Sequence, residues 1–438
     1  MMEEQILFGN RLLSTVPIPA AGAKFALIGK NRSGQPIAWP VDEGTLSKHM
    51  LLLGAIGMGK SNAMNNIVRS IRDMMTPNDI MFIFDTKGDY YNEFHTPGDV
   101  VISNDRRATN GTRPDYWNLF GEVMIDDRWT ENATEIAKTI FADRLEKTTQ
   151  VFFPNAAKDL FAALIQCMCR APREPLEKKN NETLLQVLQS LTSAKMVSYL
   201  KQHRDMENLI SYIQDPDSGQ TLGVISELQS ATRELLIGNF AKKGGLSMRQ
   251  LVRQKGGRAV FVEYDLGIGG VLTPVYRLLF DLAIKEALCR ERAEGNVYFI
   301  MDEFSLLPLL QHIDDGVNFG RSLGARFIIG AQNISQVYDA YGEERANSLL
   351  SGFSTTICFR LNDGKSREFF KELNGKNGRI TSYSAAVRAK GQIDQYREAF
   401  VVEDHDIDTL NIGEAIIHSG AYPPFRFQFN LFESRRKR

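Results

Sequence analysis

The segment that most constrains this chain is Gly54-Ala55-Ile56-Gly57-Met58-Gly59-Lys60-Ser61, which fits the pattern G-x-x-x-x-G-K-[ST] at every required position. Its surroundings fit as well. The apolar run Met50–Leu53 before it predicts a short buried strand. Asn62–Asp73 after it predicts a helix with Met64, Ile67, Val68 and Ile71 on one face. Glycines let the backbone turn tightly enough for successive N–H groups to face a polyphosphate, and the helix that follows adds its positive end. In such a loop Lys60 reaches the terminal phosphates and the Ser61 hydroxyl holds magnesium. The pattern alone implies ATP or GTP and nothing narrower.

Length and composition then bound the rest. A chain of 438 residues is long enough for two or three domains, and 43% hydrophobic with 24% charged residues is ordinary globular material. The formal net charge of -1 excludes a globally basic nucleic-acid binder, so any electropositive surface is local. No apolar run reaches the roughly 18 residues of a membrane-crossing helix. Met1-Met2-Glu3-Glu4 lacks a signal-peptide layout, so a cytosolic protein is expected. Cys167, Cys169, Cys289 and Cys358 form no C-x-x-C pair and read as buried free thiols. The histidines show no metallohydrolase spacing.

Taken in order, Phe25–Ile28 and Pro36–Trp39 predict a hairpin around Asn31-Arg32-Ser33-Gly34, with aromatic content suited either to packing or to a base pocket. His49 precedes the loop-bearing strand and has no evident task. Ile80–Phe84 reads as a buried parallel strand ending in Asp85-Thr86-Lys87-Gly88-Asp89, which is either a ligand-facing loop or an ordinary turn. Asp99–Ser103 reads as another short strand.

Asp126–Arg144, Asn155–Arg170, Asn181–Leu200, Asp205–Ile213 and Gly219–Leu236 have helical spacing with no strand between them, and Ser247–Arg253 adds a short helix. The expected layout is therefore an α/β core over 1–120 and 256–438 interrupted by an all-α domain over 121–255. The α/β pattern resumes with the strand Ala259–Tyr264 and the helix Thr273–Arg292.

Val297–Met301 is an apolar strand running into Asp302-Glu303, about 240 residues beyond the P-loop. An aspartate at such a tip, beside the P-loop, holds magnesium, and the neighbouring glutamate polarises the water that attacks the γ-phosphate. Gln332, after the strand Phe327–Ile329, reads either as a γ-phosphate sensor or as a hydrogen-bonding loop residue. Arg321 reads either as a solvated arginine or as an arginine finger.

Together these residues resemble the type IV coupling proteins, ring ATPases that feed DNA into conjugation and type IV secretion machines and belong to the HerA/FtsK class of RecA-like pumps. The resemblance covers His49–Asn118 with Phe84-Asp85-Thr86-Lys87-Gly88-Asp89, the helical insertion, Phe299–Phe304, Gly320–Gly324 and Gly330–Gln336. It ends with Ile357–Arg360 and Leu410–Ala415. It implies a RecA-like P-loop domain with a central, mostly parallel sheet plus an inserted all-α domain. It also implies ATP and Mg2+ as ligands, Lys60 and Ser61 on ATP and magnesium, Asp302 on magnesium, Glu303 as the catalytic carboxylate, Gln332 as sensor and Arg321 as a finger acting in trans. A trans finger implies a homo-oligomer, here a hexamer. The family's best-known members carry N-terminal transmembrane helices, so this chain is expected to be an anchorless form, cytoplasmic or recruited to the inner face of the membrane by partners.

The leading reading is thus a DNA-pumping ATPase whose partners are DNA, a relaxase and type IV secretion channel proteins. Two alternatives stay open: a HerA-like motor working with a nuclease, and a docking ATPase that recruits protein substrates. DNA gripped through its backbone calls for lysines and arginines lining a channel, with non-specific, salt-dependent binding. Candidates are Lys242-Lys243, Arg253/Lys255/Arg258, Lys376/Arg379/Arg388/Lys390 and the terminal Arg435-Arg436-Lys437-Arg438, each also readable as solvated surface.

Overall fold

The structure is a computed structural model and describes residues 3–17, 22–104, 114–171, 176–267, 269–289, 294–384 and 392–434. The chain forms two compact units, one of residues 1–79, 292–308 and 314–438, the other of residues 80–291 and 309–313.

In the first unit a sheet runs in the order Pro36–Asp42, Ala23–Lys30, Tyr422–Phe429, Glu414–Ser419, Thr355–Cys358, Met50–Leu53, Ala325–Ala331, Val297–Met301. The last four strands are mutually parallel. Every residue in them is buried, in keeping with their mostly apolar or β-branched character, with Arg326 as the charged exception. The first four join antiparallel. The expected hairpin is present, its turn closed by Gly34 N–H to Asn31 O at 2.9 Å. Trp39 is 2% exposed and meets Phe425 and Phe427 edge-on, so its ring belongs to the core and not to a base pocket. The helix after the P-loop runs Lys60–Met74 and buries Met64, Ile67, Val68 and Ile71 completely. Each contributes about 1.5–3 kcal/mol of apolar burial.

A separate antiparallel sheet joins Glu3–Phe8, Lys376–Ser384 and Gln392–Phe400. Its two later strands occupy a stretch whose polar, glycine-containing sequence gives no strand signal.

The second unit carries the parallel strands Ile80–Asp85, Arg258–Glu263 and Val100–Ile102, in that spatial order, together with the helical segment. Between Leu119 and Gln254 the described regular elements are all helical. Two expectations are corrected there. Asn181–Leu200 is two helices, Asn181–Gln189 and Ser193–Leu200, because Thr192 accepts a hydrogen bond from Lys195 N–H and caps a new start. Arg204–Tyr212 is a 3-10 helix. Cys289, just past the helix Gly269–Leu288, is exposed, whereas Cys167, Cys169 and Cys358 are buried thiols.

The helix Gly269–Leu288 is ion-paired into the helical segment. Arg249 Nε meets Glu286 at 2.8 Å and Arg277 Nη1 meets Asp143 at 2.7 Å. At the base of this network Glu122 is fully buried and accepts from Trp117 Nε1 (2.8 Å), Ser247 Oγ (2.8 Å) and the N–H groups of Met248 and Arg249. Burial pushes its carboxyl above the usual range while these donors pull it back. Glu122→Ala is expected to orphan all four donors and cost about 3–5 kcal/mol in urea denaturation. A loss below about 1 kcal/mol would contradict this account of the network.

Candidate nucleotide site

The P-loop leaves the carboxyl end of Met50–Leu53 with Gly57 at φ 78° and Gly59 at φ 105°, backbone conformations that side chains resist. Both flanks are pinned. Gly54 N–H donates to Ala331 O (3.3 Å), Ala55 N–H to Arg360 O (3.0 Å) and Gly413 N–H to Met58 O (2.9 Å). A side-chain carbon on Gly59 would lie 2.7 Å from Gly413 Cα, and one on Gly54 would lie 2.8 Å from Phe359 Cβ. The loop's glycines therefore serve close packing as well as turning. The segments Ile357–Arg360 and Leu410–Ala415 are its physical supports.

Asp302 does follow a strand tip, but its strand is not the immediate neighbour of the loop-bearing one. Ala325–Ala331 lies between them, pairing Ile329 with both Leu51 and Met301. The contact is made across that intervening strand: Ser61 Oγ donates to Asp302 Oδ2 at 2.8 Å. Gly330 makes this possible. A side-chain carbon there would stand 2.4 Å from Asp302 O and 2.9 Å from Asp302 Oδ1. The sequence reading names Gly330 only as the start of Gly330–Gln336 and assigns it no role, although a glycine inside an otherwise bulky strand signals a close approach.

Glu303 sits between two partners, with Gln332 Nε2 at 3.1 and 3.2 Å from its carboxylate oxygens and Lys60 Nζ at 3.7 Å. Thus Lys60, Ser61, Asp302, Glu303 and Gln332 converge. Arg321 does not join them. It is exposed on the turn Gly320–Leu323, ahead of Ala325–Ala331, whereas Gln332 follows the other end of that strand. Seven strand residues separate the two ends by about 20 Å.

The residues fit a magnesium-bound nucleoside polyphosphate. Lys60 Nζ and Asp302 Oδ1 are buried without a hydrogen-bond partner among the described residues. Among those residues no cluster of three or more His, Cys, Asp or Glu offers a self-sufficient metal site. A cation at Ser61 and Asp302 would need further oxygens, which a phosphate chain provides.

Asp85, the other strand-end acid, is spent locally. Its Oδ2 accepts from Tyr91 N–H at 2.7 Å, Gly88 turns at φ 72°, and burial raises its carboxyl to about 6. That geometry is a closed turn that starts the helix Asp89–Phe94.

Several basic candidates prove to be structural. Arg253 pairs with Glu286, Lys255 is buried with its carbonyl held by Arg258, and Arg379 binds Asn377, Glu403 and Phe400 O. Lys376 lies over the Phe400 ring, and Lys242 over Tyr116. Lys242 and Lys243 are exposed. Arg388, Lys390 and Arg435-Arg436-Lys437-Arg438 lie outside the described residues.

Gly330→Ala is expected to lower affinity for MgATP at least about tenfold while changing magnesium-free nucleotide affinity little. Binding titrations with and without magnesium check this. Unchanged magnesium dependence would contradict the role given to Gly330.

Residues 36–402 match the family described as the type IV secretion-system coupling protein DNA-binding domain. The coupling protein TraD of Escherichia coli (strain K12) is 23% identical over 336 residues, 75% of this chain and 44% of TraD. The conjugal transfer protein TraG of Agrobacterium fabrum (strain C58 / ATCC 33970) is 22% identical over 318 residues, 68% of this chain and 47% of TraG. The chain thus spans about half the length of the curated relatives it matches. In fold it is similar to the plasmid coupling protein TrwB solved with ADP and Mg2+, with a TM-score of 0.75 at 18% identity over 100% of this chain and 97% of that one. No helix among the described residues is long and apolar enough to cross a membrane. A match running from Pro36 in the first hairpin to Val402, past the end of the three-stranded sheet, makes this chain a member of the type IV secretion-system coupling protein family.

Proposed function

We propose that the chain is an ATP-hydrolysing DNA translocase that recruits DNA and its bound relaxase and drives the DNA into a type IV secretion channel during conjugation. The observation that carries this is the Ser61–Asp302 contact with Glu303 held beside it between Lys60 and Gln332. TrwB has been solved with ADP and Mg2+ and with a non-hydrolysable ATP analogue, which supports ATP and Mg2+ as the ligands. Family membership favours coupling to secretion over the nuclease-partnered alternative.

The chain's own residues divide the work. The backbone of Gly54–Lys60 cradles the phosphates, and the Lys60 ammonium meets the terminal ones. Ser61 and Asp302 hold the magnesium ion, which when bound neutralises charge on the phosphate oxygens. Glu303 orients and polarises the attacking water. Gln332, bonded to Glu303, links the occupancy of that position to the strand Ala325–Ala331.

Arg321 acts on a neighbouring subunit, which a ring, here a homo-hexamer, provides. Its place at the far end of the strand from Gln332 supports action in trans over action on its own phosphates. We read residues 121–255 as the inserted all-α domain that selects substrates and partners. The exposed Lys242-Lys243 pair is its candidate DNA contact. The working location is cytoplasmic, at the inner face of the membrane through partner proteins.

The test is ATP turnover of the purified protein with and without DNA. Stimulation by DNA that weakens steeply with salt is expected. Lys60→Ala should abolish turnover. Arg321→Ala should lose about a thousandfold while still binding ATP. Mixing these two inactive variants should restore activity. Turnover indifferent to DNA, together with tight binding of a protein substrate, would overturn the pump in favour of a docking ATPase.

A further inference from the structure

None of the chemistry above uses His49, yet it is one of the most constrained side chains in the first unit. It immediately precedes the loop-bearing strand Met50–Leu53, is 1% exposed, and holds a left-handed backbone at φ 64°. That conformation is strained for a residue other than glycine. Both ring nitrogens are engaged by backbone. Nδ1 accepts from Phe327 N–H at 3.1 Å, so the proton is on Nε2, which donates to Val317 O at 3.0 Å. The ring stands edge-on to Phe327 and Phe353. Burial, with smaller contributions from Arg326 and Arg321, lowers its pKa to about 4, so the imidazole is neutral near pH 7. An apolar side chain would fill this space without two directed hydrogen bonds.

What those bonds join gives the residue its role. Phe327 belongs to the strand that ends at Gln332, and Val317 to the helix Ile313–Phe319 that leads directly into the turn Gly320–Leu323. Arg321 is on that turn. A second buried side chain grips the same turn by its backbone: Arg326 Nη1 donates to Arg321 O at 3.0 Å, and its Nη2 meets Glu43 at 2.9 Å. The Arg321 main chain is therefore anchored while its side chain stays exposed.

We propose that His49 is a positioning residue for Arg321, fastening the turn that carries the finger to the strand that carries the P-loop. It rests on the reading of Arg321 as a finger in trans. A change at one subunit's phosphate site then moves the arginine presented to the next subunit through two hydrogen bonds and a single side chain.

His49→Asn separates the two bonds. Asparagine tolerates the left-handed backbone and places an acceptor near the Nδ1 position, but it has no donor that reaches Val317. His49→Gln reaches Val317 with its amide. The expected result for His49→Asn is turnover reduced about tenfold or more with MgATP affinity within about twofold of the parent. Amide hydrogen exchange should quicken over residues 314–324 and stay unchanged over Gly54–Ser61. Mixing His49→Asn with Lys60→Ala should restore turnover, because the Lys60 variant supplies a correctly held arginine. Adding His49→Asn to Arg321→Ala should cause no further loss, and His49→Gln should stay near the parent.

Parent-like turnover and exchange in His49→Asn would overturn the inference. So would an affinity loss that matches the turnover loss, or losses that multiply with those of Arg321→Ala. Full turnover by Arg321→Ala alone would overturn the finger reading itself, and this inference with it, whatever His49→Asn does. Should His49→Asn fail to fold, loss of turnover in a folded His49→Gln would overturn the inference.

Discussion

Most of the candidate nucleotide site depends on one short contact, the Ser61 hydroxyl against the Asp302 carboxylate at 2.8 Å. The two residues belong to strands that are not neighbours, so the contact needs three conditions at once. The parallel register must bring Asp302 level with the end of the loop-bearing strand. The strand between them must offer no side chain at Gly330. The P-loop must then start its helix at Lys60, so that Ser61 faces the gap. Any one of these failing separates the hydroxyl from the carboxylate.

The loop itself is stiffened from behind by parts of the chain far away in sequence. Gly413 and Phe359 pack so closely on Gly59 and Gly54 that neither glycine tolerates a side chain, and Arg360 lends its carbonyl to Ala55. The closing strands Glu414–Ser419 and Tyr422–Phe429 thereby become part of the nucleotide site without contributing a catalytic group. Preorganisation of this kind lets the phosphate-facing amides hold their direction before any ligand arrives, which lowers the cost of binding.

The residues of the candidate site were legible in the sequence, and much of their geometry was hidden. Gly54–Ser61 and Asp302-Glu303 announce themselves because phosphate and magnesium binding demand fixed residue types at fixed spacing. Met50–Leu53, Val297–Met301 and the centre of Ala325–Ala331 were readable because buried parallel strands favour apolar runs, whereas Thr355–Cys358 was not read as a strand. The roles of Gly330 and His49 escaped because each works across a register that only the folded sheet defines. The strands Lys376–Ser384 and Gln392–Phe400 were hidden by their polar sequence, in keeping with the exposure of residues 5–8 and 395–398 in that sheet. Asn181–Leu200 was misjudged as one helix because hydrophobic spacing continues across the break while Thr192 supplies the cap. Charge runs were the least informative signal. Arg253, Lys255 and Arg379 were readable either as DNA contacts or as solvated surface, and instead Arg253 and Arg379 are held in ion pairs or hydrogen bonds and Lys255 is buried.

The central claim is that each nucleotide site is completed by two subunits, with Lys60, Ser61, Asp302, Glu303 and Gln332 from one and Arg321 from the next. The most direct measurement is an electron-microscopy map of the assembly formed with a non-hydrolysable ATP analogue, magnesium and DNA. The account expects a closed ring in which the Arg321 guanidinium of each subunit lies at its neighbour's terminal phosphate, with magnesium between Ser61 and Asp302. A nucleotide enclosed by one subunit alone, with Arg321 facing solvent, would contradict it.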